Sequence, residues 1–153
     1  MRFVSLILAI ALAACTAASK AGTVFTKDDL ARLQFLEGRW KGIGPDGAAF
    51  YEEYDFPDPE TLRSRRYPDA RFTASTDSST VTLEDGSILA RWGRFSWKAS
   101  EISSDRACFD PLDAPGRFCW DRRTDSFVAV TQRWTDEKGD EQSYTVALER
   151  VPR

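Results

Sequence analysis

The chain contains no histidine, and that count limits the chemistry its other side chains could perform. It removes Ser-His-Asp and Cys-His nucleophilic catalysis, histidine zinc sites and histidine-ligated haem together. Carboxylates remain as acids and bases. Two close pairs stand out, Glu52 with Glu53 and Asp121 with Asp125, and a glycosidase-type reaction needs two carboxylates flanking one bond. Adjacent strand residues point to opposite faces, so Glu52 and Glu53 do not meet that need. Asp121 and Asp125 bracket a turn-like stretch, Arg122 to Thr124. Ser75, Ser78 and Ser79 lack both the Gly-x-Ser-x-Gly elbow and the Ser-x-x-Lys pattern of activated serines. Gly42, Gly44 and Gly47 precede a strand rather than a helix, so they form no phosphate loop. No catalytic residue, metal site or cofactor is expected, and the chain does not read as an enzyme.

Binding chemistry is better represented. The chain has five tryptophans, Trp40, Trp92, Trp97, Trp120 and Trp134. Large indoles either line a cavity for an apolar ligand or fill the centre of a small barrel. Alternation puts Tyr54, Trp92, Trp97 and Tyr144 on the more apolar faces of their strands, which makes them the candidate ligand-binding residues. The densest basic cluster, Arg63, Arg65 and Arg66, lies opposite Glu52, Glu53 and Asp55. A guanidinium turned inward would grip a carboxylate or phosphate headgroup. Cross-strand ion pairs on a solvated face are the alternative, at about 0.2–1 kcal/mol each. Arg65 and Arg66 cannot both point inward, and Leu62 shares a face with Arg66, so Arg66 is the inward candidate.

The elements that would position these residues are nearly all strands. Thr26 caps a short helix from Lys27 to about Gln34, with Asp28 and Asp29 at its positive end. Beyond Leu36 the apolar period becomes strand-like, and about nine strands follow in succession. They run over 39–43, 50–56, 62–67, 80–83, 87–92, 94–99, 116–120, 126–134 and 142–151. Glu84-Asp85-Gly86 and the stretch Asp136 to Asp140 are hairpin turns between them. Such a meander, with no βαβ crossover, avoids open edges by closing on itself. The expected fold is therefore all-β, an antiparallel up-and-down β-barrel of about 8–10 strands preceded by a short helix.

One segment resembles a known family. Leu36-Glu37-Gly38-Arg39-Trp40-Lys41-Gly42-Ile43-Gly44 carries Gly-x-Trp directly after a short helix, which is similar to the opening of lipocalin and calycin barrels. The longer Gly-x-Trp-x-Gly-x-Gly form resembles the nitrobindin branch and the bacterial lipocalin-like domains of unknown function. The resemblance implies that the tryptophan closes one end of the barrel beneath an arginine of the last strand. Arg150 is the candidate partner of Trp40, with Arg133 second. Nitrobindin-type barrels hold haem through a histidine, which this chain lacks, so the resemblance carries the barrel without the haem.

The amino terminus reads as an address. Met1 and Arg2 precede an apolar run from Phe3 to Ala14 that ends in Leu12-Ala13-Ala14-Cys15. Twelve helical residues rise about 18 Å, too short for the hydrocarbon core of a bilayer but the length of a secretory h-region. The tetrapeptide resembles a bacterial lipobox, which implies cleavage before Cys15 and acylation of that residue; an ordinary secretory signal is the alternative. The expected organisation is a lipoprotein signal peptide at 1–14, a lipidated N-terminus and tether at 15–25, and a lipocalin-like barrel at 26–153. Removal of 1–14 leaves 139 residues and moves the formal charge from -3 to -4 through loss of Arg2. Thr16 after the cysteine, by the same resemblance, implies the periplasmic face of an outer membrane. There Cys108 and Cys119 are expected to form a disulfide across a Pro- and Gly-containing loop from Phe109 to Phe118, with two free thiols as the alternative.

The remaining composition fits one globular domain of 153 residues, with 42% apolar and 29% charged residues. A net charge of -3 without a basic stripe argues against a nucleic-acid partner, and none is expected. Two functional readings follow. Either the barrel binds a small apolar or amphipathic ligand, or it is filled and acts as an envelope interaction module with a protein partner, contacted through the cysteine loop.

Overall fold

The computed structural model describes residues 22–152. Cys15, the leader at 1–14 and the first part of the tether lie outside them. The short helix α1 (Lys27–Ala31) continues as a 3-10 turn (Arg32–Leu36). Ten strands follow: β1 (Gly38–Ile43), β2 (Ala49–Asp58), β3 (Thr61–Tyr67), β4 (Asp77–Glu84) and β5 (Ser87–Trp92), then β6 (Phe95–Ile102), β7 (Arg106–Pro111), β8 (Gly116–Thr124), β9 (Phe127–Thr135) and β10 (Glu141–Val151). Each strand pairs antiparallel with the next, and β10 pairs back to β1, closing the barrel. Closure gives every strand a neighbour on both sides, so the succession of strands does not end in a free edge strand.

Thr26 caps α1 through a reciprocal capping box: its hydroxyl accepts from the Asp29 amide, and the Asp29 carboxylate accepts from the Thr26 amide at 2.9 Å. The α-helix stops at Ala31, earlier than the sequence implies, and the tighter turn after it brings Leu33, Phe35 and Leu36 into the core. Together with Leu30 they plug one end of the barrel. Phe25 fixes the incoming chain to that end, its amide donating to the Gly86 carbonyl at 2.8 Å.

The sequence misses one strand. The segment Phe109–Phe118 is not a single loop: β7 ends at Pro111, and only the short turn before Gly116 is irregular. Pro111 reads as a break but sits at a strand end, where its missing N–H costs nothing. A register shift in β6 between Ala99 and Glu101 also hides the alternation just upstream. Cys108 and Cys119 consequently face each other across β7 and β8 and form a disulfide with Cα atoms 4.1 Å apart. Ala107, Phe109 and Trp120 belong to the interior core, so alternation puts the disulfide on the outward-facing side of the sheet, where both cysteines are nonetheless buried.

Candidate binding cavity

The opening motif has a local mechanism. Gly38 adopts φ +123, and a Cβ there would collide with the Arg150 guanidinium. A Cβ on Gly42 would collide with the Phe50 ring. The two glycines thus admit one side chain at each end of β1. Arg150 lies 4.2 Å from the Trp40 ring centroid and donates to the carbonyls of Phe35, Glu37 and Asp125. The Trp40 indole N–H donates to the Leu36 carbonyl at 2.7 Å, and the residue is fully buried. Arg133 is far from this arrangement in sequence register, near the opposite end of the barrel beside Trp134.

Above this plugged end the interior is hollow. A cavity of about 530 Å³ opens at the other end of the barrel. Its wall differs from side to side. On β2 and β3, Glu52 and Arg66 are register partners. Arg66 donates to Glu52 Oε1 from Nε at 3.2 Å and from Nη2 at 2.7 Å, and its guanidinium rests 4.3 Å from the Phe50 ring centroid. Tyr54, buried beneath them, donates its hydroxyl to Glu52 Oε2 at 2.6 Å. Burial, reinforced by the Glu52 charge, pushes the Tyr54 hydroxyl well above its ordinary pKa, so it stays a donor. Ser64 and Ser79 share a hydroxyl hydrogen bond of 2.7 Å across β3 and β4.

The facing wall is aromatic. Ring contacts run from Trp92 to Phe95 at 6.3 Å, Phe95 to Trp97 at 6.2 Å, Trp97 to Phe118 at 5.5 Å and Phe118 to Trp120 at 5.0 Å. Trp120 meets Tyr54 edge-on at 6.2 Å, joining the two walls at depth. Hydrogen bonds orient the indoles: Trp97 donates to the Gly116 carbonyl at 2.7 Å, and Trp92 donates to Asp77. At the mouth Trp92 is 47% exposed and Trp134 39% exposed.

Tyr54, Arg66, Trp92 and Trp97 therefore line one cavity. Tyr144 does not. It has the inward parity of Val146 and Leu148, but its hydroxyl bridges to the Ile43 carbonyl at 3.3 Å, at the seam of β10 and β1. That seam pairs only Arg39–Lys41 with Glu149–Val151. Sequence reasoning did not single out Glu52, Phe95 or Phe118 as lining, although Phe118 and Trp120 alternate about Cys119 in a way that marks an inward face. The rest of the basic cluster faces out: Arg63 pairs with Asp55 at 2.6 Å and Arg65 with Glu53 at 3.0 Å. Burial of Glu53 opposes its ionisation, but hydrogen bonds from Arg39 and Tyr67 and the charges of Arg39 and Arg65 outweigh it, holding the carboxyl below its usual range.

No protein-family model matches the chain, and no curated protein matches it. Among solved structures it is similar to a redesigned beta barrel, with 13% sequence identity and a TM-score of 0.39 over 79% of this chain and 96% of that one. So slight a likeness speaks to neither ancestry nor activity.

Proposed function

We propose that the protein is a lipid-anchored lipoprotein of the bacterial envelope whose lipocalin-like barrel binds a small apolar or amphipathic molecule without transforming it. The observation carrying this reading is the open cavity of about 530 Å³, which exceeds the roughly 300 Å³ that a drug-sized ligand requires. A filled barrel serving only as an interaction module would have its indoles interlocked and leave no such space. The lipobox-like Leu12 to Cys15 supports the anchor. Phe25 joins the barrel at its plugged end, so the chain from such an anchor would enter at the end opposite the mouth.

Native mass spectrometry of residues 16–153, exported to the periplasm and compared with the same protein after organic extraction and refolding, tests the binding reading. The expected spectrum shows an extractable extra mass of a few hundred daltons that disappears in Trp97→Ala. A bare polypeptide mass that no added envelope lipid shifts would overturn it.

A further inference from the structure

We infer that the cavity selects uncharged, ring-bearing ligands and turns anions away, with Glu52 as the residue that sets this preference. The inference rests on the binding reading above and gives it a ligand class. An arginine inside a barrel invites a carboxylate or phosphate headgroup, but here the anion is already supplied. Two nitrogens of Arg66 donate to Glu52 Oε1, and Tyr54 occupies Oε2. The Glu52 side chain is 13% exposed and that of Arg66 47%, so the counter-ion sits within the wall while the guanidinium reaches solvent at the mouth. A second carboxylate, Asp77, lines the mouth and accepts from Trp92. The inward-facing charges are therefore two carboxylates against one guanidinium.

Two further arginines that border the cavity are also engaged by acids. Arg91 is held by Glu84 at 2.6 and 2.8 Å, and Arg117 lies 3.3 Å from Asp110. Arg133, exposed at the rim, is the register partner of Arg117 and shares its outward parity. An anion passing inward beyond Arg133 must either displace Glu52 from Arg66, leaving a mostly buried carboxylate without its partner, or lie beside two like charges. An uncharged polar group meets neither penalty, and Gln132 and the Ser64–Ser79 pair offer it hydrogen bonds. Across from these groups, Trp97, Phe118 and Trp120 meet edge to face. Such a wall favours flat rings, which stack or meet edges, over a flexible alkyl chain.

Two fluorescent probes with one ring system test this directly: uncharged N-phenylnaphthylamine and anionic anilinonaphthalene sulfonate. Each is titrated into extracted, refolded residues 16–153 at neutral pH. The uncharged probe should bind at least about tenfold more tightly. Glu52→Gln keeps the side-chain shape but frees Arg66, and should tighten the sulfonate about tenfold while moving the uncharged probe less than about threefold. Arg66→Gln, read in parallel, keeps the carboxylate and should weaken the sulfonate further. Near-ultraviolet circular dichroism reports whether each variant keeps its packed aromatics. Equal or tighter sulfonate binding by the unmodified protein overturns the inference, as does an unchanged probe ratio in both folded variants. If neither probe binds the unmodified protein, the binding reading itself falls and takes this inference with it.

Discussion

The two ends of the barrel use the same side chain for opposite purposes. At the plugged end Trp40 is fully buried, its N–H is bonded to Leu36, and Arg150 covers its face. Leu30, Leu33 and Leu36 close around it with no exposure. At the mouth Trp97 is equally well oriented by its bond to Gly116, yet its surroundings end in open space. An indole is a stopper where both faces meet protein and a binding wall where one face does not. Residue type alone therefore does not decide between packing and recognition; the partner over the ring does.

The sharpest test of that contrast is Trp40→Ala, which empties a fully packed site and should cost about 3–5 kcal/mol in urea unfolding. Loss of the outer disulfide in the Cys108→Ala, Cys119→Ala double variant should cost about 2–3 kcal/mol through the freed unfolded chain, while probe affinity stays unchanged. Trp97→Ala should cost only about 1–2 kcal/mol, because less area is removed from water, and should instead reduce probe affinity about tenfold or more. If Trp97→Ala destabilised as much as Trp40→Ala, the distinction between the ends would collapse.

The smallest effect is electrostatic. Hydrogen bonds from Arg91 and Thr82 lower the Glu84 pKa from 4.5 to about 2. A depressed folded value means the pair stabilises the protein fully above about pH 4.5 and loses that contribution as pH falls towards 2. Both side chains are nearly half exposed, so solvent screening limits the contribution to about 1 kcal/mol or less. Glu84→Gln should accordingly flatten the acid limb of a stability-versus-pH curve in that window, measured by urea unfolding, with no change in probe binding.

Much of this architecture is legible in the sequence because period-2 alternation and turn residues are local signals. The helix cap at Thr26 and the Glu84 to Gly86 hairpin follow from such signals, as does the inward direction of Arg66, inferred from its shared face with Leu62. β7 escapes because Pro111 resembles a break and the β6 irregularity interrupts the pattern before it. Tyr144 shows a different limit. Parity reveals which face a side chain takes but not its height along the barrel, which depends on the stagger of all ten strands. The pairing of Arg66 with Glu52 was visible as opposite charge, whereas its placement inside the cavity required the register between β2 and β3.

The narrow seam between β1 and β10 has a consequence for how the molecule comes into being. Val151 meets Arg39, so the ring is completed only when β10, the last of the ten described strands, pairs with β1. A nascent chain halted at β9 presents two raw margins, on β1 and on β9, each ready to pair with a stranger. Native architecture is thus withheld until β10 has emerged. A truncated product would be marked for aggregation or degradation by the very edges that the finished ring conceals.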